Sequence, residues 1–172
     1  AVFPQDVPIP LARAAELWRL SAALDEEDSQ DLVAGRLDPL SLLGYDARAG
    51  LLRLHDVLRR YLVEQLPELA ALHQRLADHW TDRPAQGRGY AWRWLAHQRA
   101  QAVITAAPSA RHAPAAALVA LVADTGWQQA HQAALQDLPA LREALASALQ
   151  AAVADESPAG VPLLIDAADA LL

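Results

Sequence analysis

The chain has 172 residues, enough to bury roughly 70% of its unfolded surface, so one domain or two small ones need no covalent staple. It carries 21 acidic residues against 14 basic ones, a net charge of −7, with no Cys and no Met. Disulfides, thiolate metal sites and Cys nucleophiles are thereby excluded, and because every basic residue is Arg, so is a phosphate loop built around Lys.

In chain order, the opening AVFPQDVPIP has three prolines and reads as an extended arm that stops at Pro10, a favoured first helical position. Leu11, Ala15, Trp18 and Ala22 then recur at helical spacing and predict a short helix to about Leu20. Asp25 is placed to cap a second helix, from Glu26 to Leu37, which Pro39 ends. Two short apolar runs, 40–45 and 51–55, flank the loop 46–50 and predict a β-hairpin. From Val57 the period is helical again. Val57, Leu58, Tyr61, Leu62 and Leu66 form one stripe, Pro67 interrupts it, and Leu69, Leu72, Leu76 and Trp80 continue it.

Residues 81–89, TDRPAQGRG, read as a polar linker and the boundary between a unit at 1–82 and a helical arm at 83–172. The arm is predicted to form helices near 90–102, 114–124, 127–135, 139–155 and 161–171, like stacked pairs of an α-solenoid but without a repeat of fixed period. The expected fold class is therefore mainly α: a winged-helix domain with a short β-hairpin, followed by an α-helical bundle or solenoid-like arm. No apolar run is long enough for a membrane span and no leader opens the chain, so the expected location is cytoplasmic. The missing Met start suggests a piece of a longer protein, and the abundance of Ala and Arg a GC-rich genome.

Charge is unevenly spread. Residues 1–82 hold 8 Arg and 14 acids, 83–112 hold 5 Arg and no acid, and 113–172 hold 1 Arg and 7 acids. Arg83, Arg88, Arg93, Arg99 and Arg111 can pair with the acids on either side or offer a surface to an anion or partner. Trp80, Trp92, Trp94 and Trp127 are candidates for the core of the arm or for interface anchors. The six histidines, at 55, 73, 79, 97, 112 and 131, show no metal-ligand spacing. No P-loop, GxSxG or Gly-rich dinucleotide motif is present, so no catalysis and no resident cofactor are expected of the chain by itself. A DNA-reading winged helix needs a basic leading end on its recognition helix, and here that end reads DEEDSQD, which repels phosphate.

One junction stands apart. In LLRLHDVLRRYL, an apolar segment meets a helix at His55-Asp56. As N-cap, Asp56 would satisfy free N–H groups, a contribution of about 1 kcal/mol. His55 would then sit at the mouth of the helix, where a phosphate is also favoured. An ordinary capped helix and a ligand contact both fit these residues.

With FPQDVPIPLARAAELW, LDEEDSQDLVAGRLDPLSLL, LRLHDVLRRYL, LAALHQRLADHW and YAWRWLAHQRA in this order, the chain resembles the winged-helix region of STAND-class signalling NTPases. This is the NB-ARC group, which includes apoptotic protease activating factors, plant resistance proteins and bacterial relatives. The resemblance covers residues 2–102 and fades by about 135. It implies that Leu54-His55-Asp56 stands where that family carries its MHD motif, with Leu54 in place of Met. His55 is then implied as a contact to the β-phosphate of ADP in a closed state, and Asp56 as its structural neighbour. The resemblance further implies an upstream nucleotide-binding domain as partner, ADP or ATP bound in that context, and a helical arm that relays the change to oligomerisation or effector domains. A plain helical scaffold, binding a protein partner or a second copy through the arm, is the alternative; a winged-helix DNA regulator is the third reading.

Overall fold

The computed structural model describes residues 2–82 and 88–170. It is mainly α-helical with one small three-stranded antiparallel sheet. The chain divides into two compact units, Ala1–Leu72 and His73–Leu172. The segment 83–87, on which most of the expected linker falls, lies outside the described residues.

The first unit opens with strand β1 (Ile9–Pro10) and helix α1 (Leu11–Ala22), then α2 (Glu26–Leu32). As anticipated, Asp25 caps α2, its Oδ1 accepting from Asp28 N at 2.8 Å. The helix expected to reach Leu37 does continue, but as a π-helical turn over Val33–Leu37. There the amide of Asp38 reaches back five residues to Val33 O at 3.0 Å, and Val33 is fully buried.

The hairpin forms from β2 (Leu43–Asp46) and β3 (Leu51–Leu54), with Leu43 opposite Leu54 and Tyr45 opposite Leu52. Its loop is closed by Asp46, whose carboxylate accepts from Ala49 N at 3.0 Å, and by Gly50 at φ 64°. The opening arm is more than a lead-in. Ile9 pairs with Leu52 and Pro10 with Leu51, which makes β1 a third strand and gives the order β1-β3-β2. Pro10 is tolerated there because β1 is an edge, where a missing N–H breaks no ladder. Val2, Phe3, Ile9, Leu11, Ala14, Ala15, Val33, Leu43 and Leu52 are the buried apolar residues of this unit up to the hairpin. Helix α3 (Asp56–Gln65) follows β3 and buries none of its residues. The apolar stripe expected there is covered only in part: Leu58, Leu62 and Leu66 are half-buried, whereas Val57 is 73% and Tyr61 57% exposed.

Helix α4 (Leu69–Asp82) begins in the first unit and ends in the second. The second unit continues with α5 (Arg88–Thr105), a 3-10 turn at Pro108–Ala110, α6 (His112–Ala123), α7 (Thr125–Leu135), α8 (Leu138–Ala154) and α9 (Gly160–Asp169). Helix α5 packs on α6, α7 and α8, and α9 closes against α6 and α8. Alanines make this core. Ala144, Ala148, Ala151 and Ala152 of α8 are buried with Leu118, Val119 and Val122 of α6 and Ala96, Ala100 and Val103 of α5. Asp124 caps α7 and Asp137 caps α8, each accepting from the amide three residues on. The His73 ring, also buried, donates from Nδ1 to Oε1 of Gln98 at 2.6 Å.

The basic stretch is largely spent inside this unit. Arg93 pairs with Asp137 at 2.8 Å and Glu143 at 3.0 Å, and Arg99 lies 3.7 Å from Asp78. Arg111 donates to the carbonyls of Ala106 and Ala154, tying two helix ends together. The side chains of Arg83 and Arg88 lie outside the described residues.

Candidate functional site

The three residues singled out in the sequence meet at the β3–α3 junction of the first unit. Leu54 ends β3 opposite Leu43 and is half-buried, whereas His55 and Asp56 are exposed. The cap is shifted by one residue from the expected place. His55 has extended backbone, φ −68° and ψ 139°, and its carbonyl accepts from Arg59 N at 2.9 Å, so His55 is the N-cap and Asp56 the first residue of the helix. The His55 side chain accepts from none of the first-turn amides. Asp56 acts there through its charge, which suits the positive end of the helix dipole. Neither its carboxylate nor the His55 imidazole is held by a hydrogen bond or ion pair among the described residues.

Two arginines unremarked in the sequence belong to this junction. Arg59, four residues after His55 and so on the same helix face, donates from Nη1 to the carbonyl of Phe3 and fastens the opening arm to α3. Arg59 and Arg60 line an open groove of about 390 Å³ along α3, together with Asp56, Gln5, Val63 and Glu64. Leu54 and Arg59 also border a small cavity of about 10 Å³ under the arm, too small for anything beyond a single water. The signal for these arginines was the spacing in HDVLRR, which becomes meaningful only once the helix start is fixed.

Chemically, the junction presents the backbone N–H groups of a helix start and an exposed imidazole, with Arg59 and Arg60 along a groove that the Asp56 and Glu64 carboxylates also line. The helix start and the arginines favour one phosphate or carboxylate group, and the Asp56 and Glu64 carboxylates oppose it. The junction contains no nucleophile with a base. Among the described residues, no group of three or more His, Asp or Glu is arranged to hold a metal, and no helix is long and apolar enough to cross a membrane.

The other titratable groups of note lie in the second unit. His112 Nδ1 meets Asp155 Oδ2 at 2.7 Å, and this hydrogen bond holds the buried Asp155 carboxyl below the usual carboxylate range. His131 is fully buried between Trp127, at 4.8 Å between centroids, and Trp92, at 6.3 Å, with no hydrogen-bond partner for either ring nitrogen among the described residues. Burial pushes its pKa down, Arg93 adds to that, and Asp137 opposes it. No family model, no curated protein and no solved structure matches this chain.

Proposed function

We propose that this chain is the regulatory, non-catalytic module of a STAND-type signalling NTPase, in which the first unit senses ADP held by an upstream nucleotide-binding domain and the second relays the change. The observation that carries this reading is the open start of α3: an exposed His55 at the N-cap, first-turn amides that its side chain does not cap, and Arg59 and Arg60 along the adjoining groove. Such an end receives one phosphate and leaves the base and ribose to the partner domain. A nucleotide shifts the equilibrium only through contacts that differ between the two states. ADP holds the closed state partly through His55, and exchange for ATP removes that contact.

In a polypeptide that carries the upstream domain, His55→Ala is expected to weaken ADP retention about 10- to 100-fold, the worth of one charge-assisted hydrogen bond, and to raise signalling without stimulus. Unchanged ADP retention refutes the role of His55. A coding region with no P-loop within about one or two domain lengths upstream of Ala1 refutes the parent architecture.

A second reading, a helical scaffold for a protein partner, is favoured by α9, where Val161, Leu164 and Ile165 form an exposed apolar stripe. Partner binding that is lost with Ile165→Asp and indifferent to nucleotide would support it. The acids of α2, Glu26, Glu27, Asp28 and Asp31, are all exposed and repel a DNA backbone.

A further inference from the structure

The second unit holds a cavity of about 110 Å³ walled by the indoles of Trp80, Trp92 and Trp127 and completed by Leu95, Leu121 and Thr81. These walls come from four helices, and each indole is braced from behind. Trp80 meets the Tyr90 ring edge-on at 6.3 Å, Trp92 and Trp127 both pack on the buried His131, and the Trp127 amide is fixed by the Asp124 cap at 2.6 Å. Trp92 and Trp127 stand 6.4 Å apart and tilted by 42°, so they splay around the space and do not stack to fill it. The cavity is thus built into the fold, with a size close to the roughly 150 Å³ that admits a benzene ring.

Its chemistry narrows the occupant. Thr81, the polar wall residue, is already engaged: its hydroxyl donates to Ala77 O at 2.8 Å and accepts from Arg99 Nη2 at 3.0 Å. A ligand therefore finds apolar faces and ring edges, together with the indole N–H of Trp127, which has no hydrogen-bond partner among the described residues, and no free side-chain group on Thr81 to compete for. Aromatic walls of this kind also serve as cages for quaternary ammonium ions. Here the Arg99 guanidinium stands one hydrogen bond behind the wall and opposes a cation, with Asp78 only 3.7 Å from that same guanidinium and engaged by it. We propose that this cavity is a binding site for a small, neutral, single-ring aromatic molecule, held by offset and edge-to-face packing against the three indoles. The site is independent of the nucleotide-sensing reading, because it uses no residue of the β3–α3 junction.

The test is a titration of the intact chain with toluene, read from the indole N–H signals in a two-dimensional nitrogen–proton spectrum. Saturable shifts of the Trp80, Trp92 and Trp127 signals are expected, with Trp18 and Trp94 unmoved, and no saturable shift with tetramethylammonium. Ala91 also lines the space, so Ala91→Leu should fill it and weaken toluene binding at least tenfold in a folded protein; Leu121→Phe serves the same purpose if that variant does not fold. Absence of a saturable shift up to the solubility limit of toluene overturns the proposal. So does tetramethylammonium binding as well as toluene, which would make the site a cation cage, and so does a folded filling variant that binds toluene unchanged.

Discussion

Helices α3 and α8 both carry apolar residues at helical spacing, yet α8 buries Ala140, Ala144, Leu145, Ala148, Ala151 and Ala152 while α3 buries nothing. The difference lies in what each face meets. On α8 the small side chains let α5, α6 and α9 approach closely, and dispersion contacts accumulate over the whole length. On α3 the larger Val57, Tyr61 and Val63 face outwards, although such residues gain most from burial. Periodicity identifies a face that would gain from being covered. It does not say whether the cover belongs to the same chain.

This contrast can be broken or sharpened by measurement. The largest effect is expected in the alanine-rich core: Leu118→Ala, at a fully buried position, should lower the stability of the second unit by about 2–5 kcal/mol in denaturant melts. Next comes Gly160, where an added Cβ would lie 2.2 Å from the Asp155 carbonyl oxygen. Gly160→Ala forces the α8–α9 corner to shift, at about 1–3 kcal/mol, read from the same melts.

pH should then separate two groups within the second unit. Because burial lowers the His131 pKa in the folded state, the unfolded chain binds the proton more readily, and stability is expected to decline as pH falls below the ordinary value of 6.5. His131→Leu should flatten that slope. Asp155 behaves as a depressed carboxylate: its contribution is full above its ordinary value of 3.8 and is lost only as pH falls further, through the lowered folded value. His112→Ala should therefore change the acid limb. The smallest effect belongs to α3. Tyr61→Ala should alter stability by no more than about 0.5 kcal/mol, and a loss above about 2 kcal/mol would mean that this face is covered after all.

Much of the fold was legible because its signals are local. Asp25 and Glu26 marked a helix start, Pro67 a break, and the Asp46 to Gly50 loop a hairpin; all three are realised. The second-unit helices begin and end within about three residues of their expected bounds. What escaped depends on distant partners or on single residues. Strand β1 exists only through Leu51 and Leu52, some forty positions away, and nothing in AVFPQDVPIP names them. The π turn at Val33–Leu37 has no composition of its own; it follows from seating Val33 in the core. At the candidate site His55-Asp56 was visible as a junction, but the choice of cap turned on one residue's backbone angles. Arg59 gained its place only when the carbonyl of Phe3, 56 residues earlier, came within reach. The tryptophan-walled cavity was equally hidden, because four separate helices contribute to it.

The His73–Gln98 hydrogen bond has a consequence beyond its own strength. Around it the faces are mostly apolar, and apolar faces tolerate sliding, since one leucine or alanine replaces another with little penalty. A polar couple sealed from water does not. Shifting α4 along α5 by a single turn would break this buried bond, and each polar group then left without a partner would cost roughly 1–3 kcal/mol. The bond thus acts as an indexing pin that favours one alignment of the two helices over its neighbours.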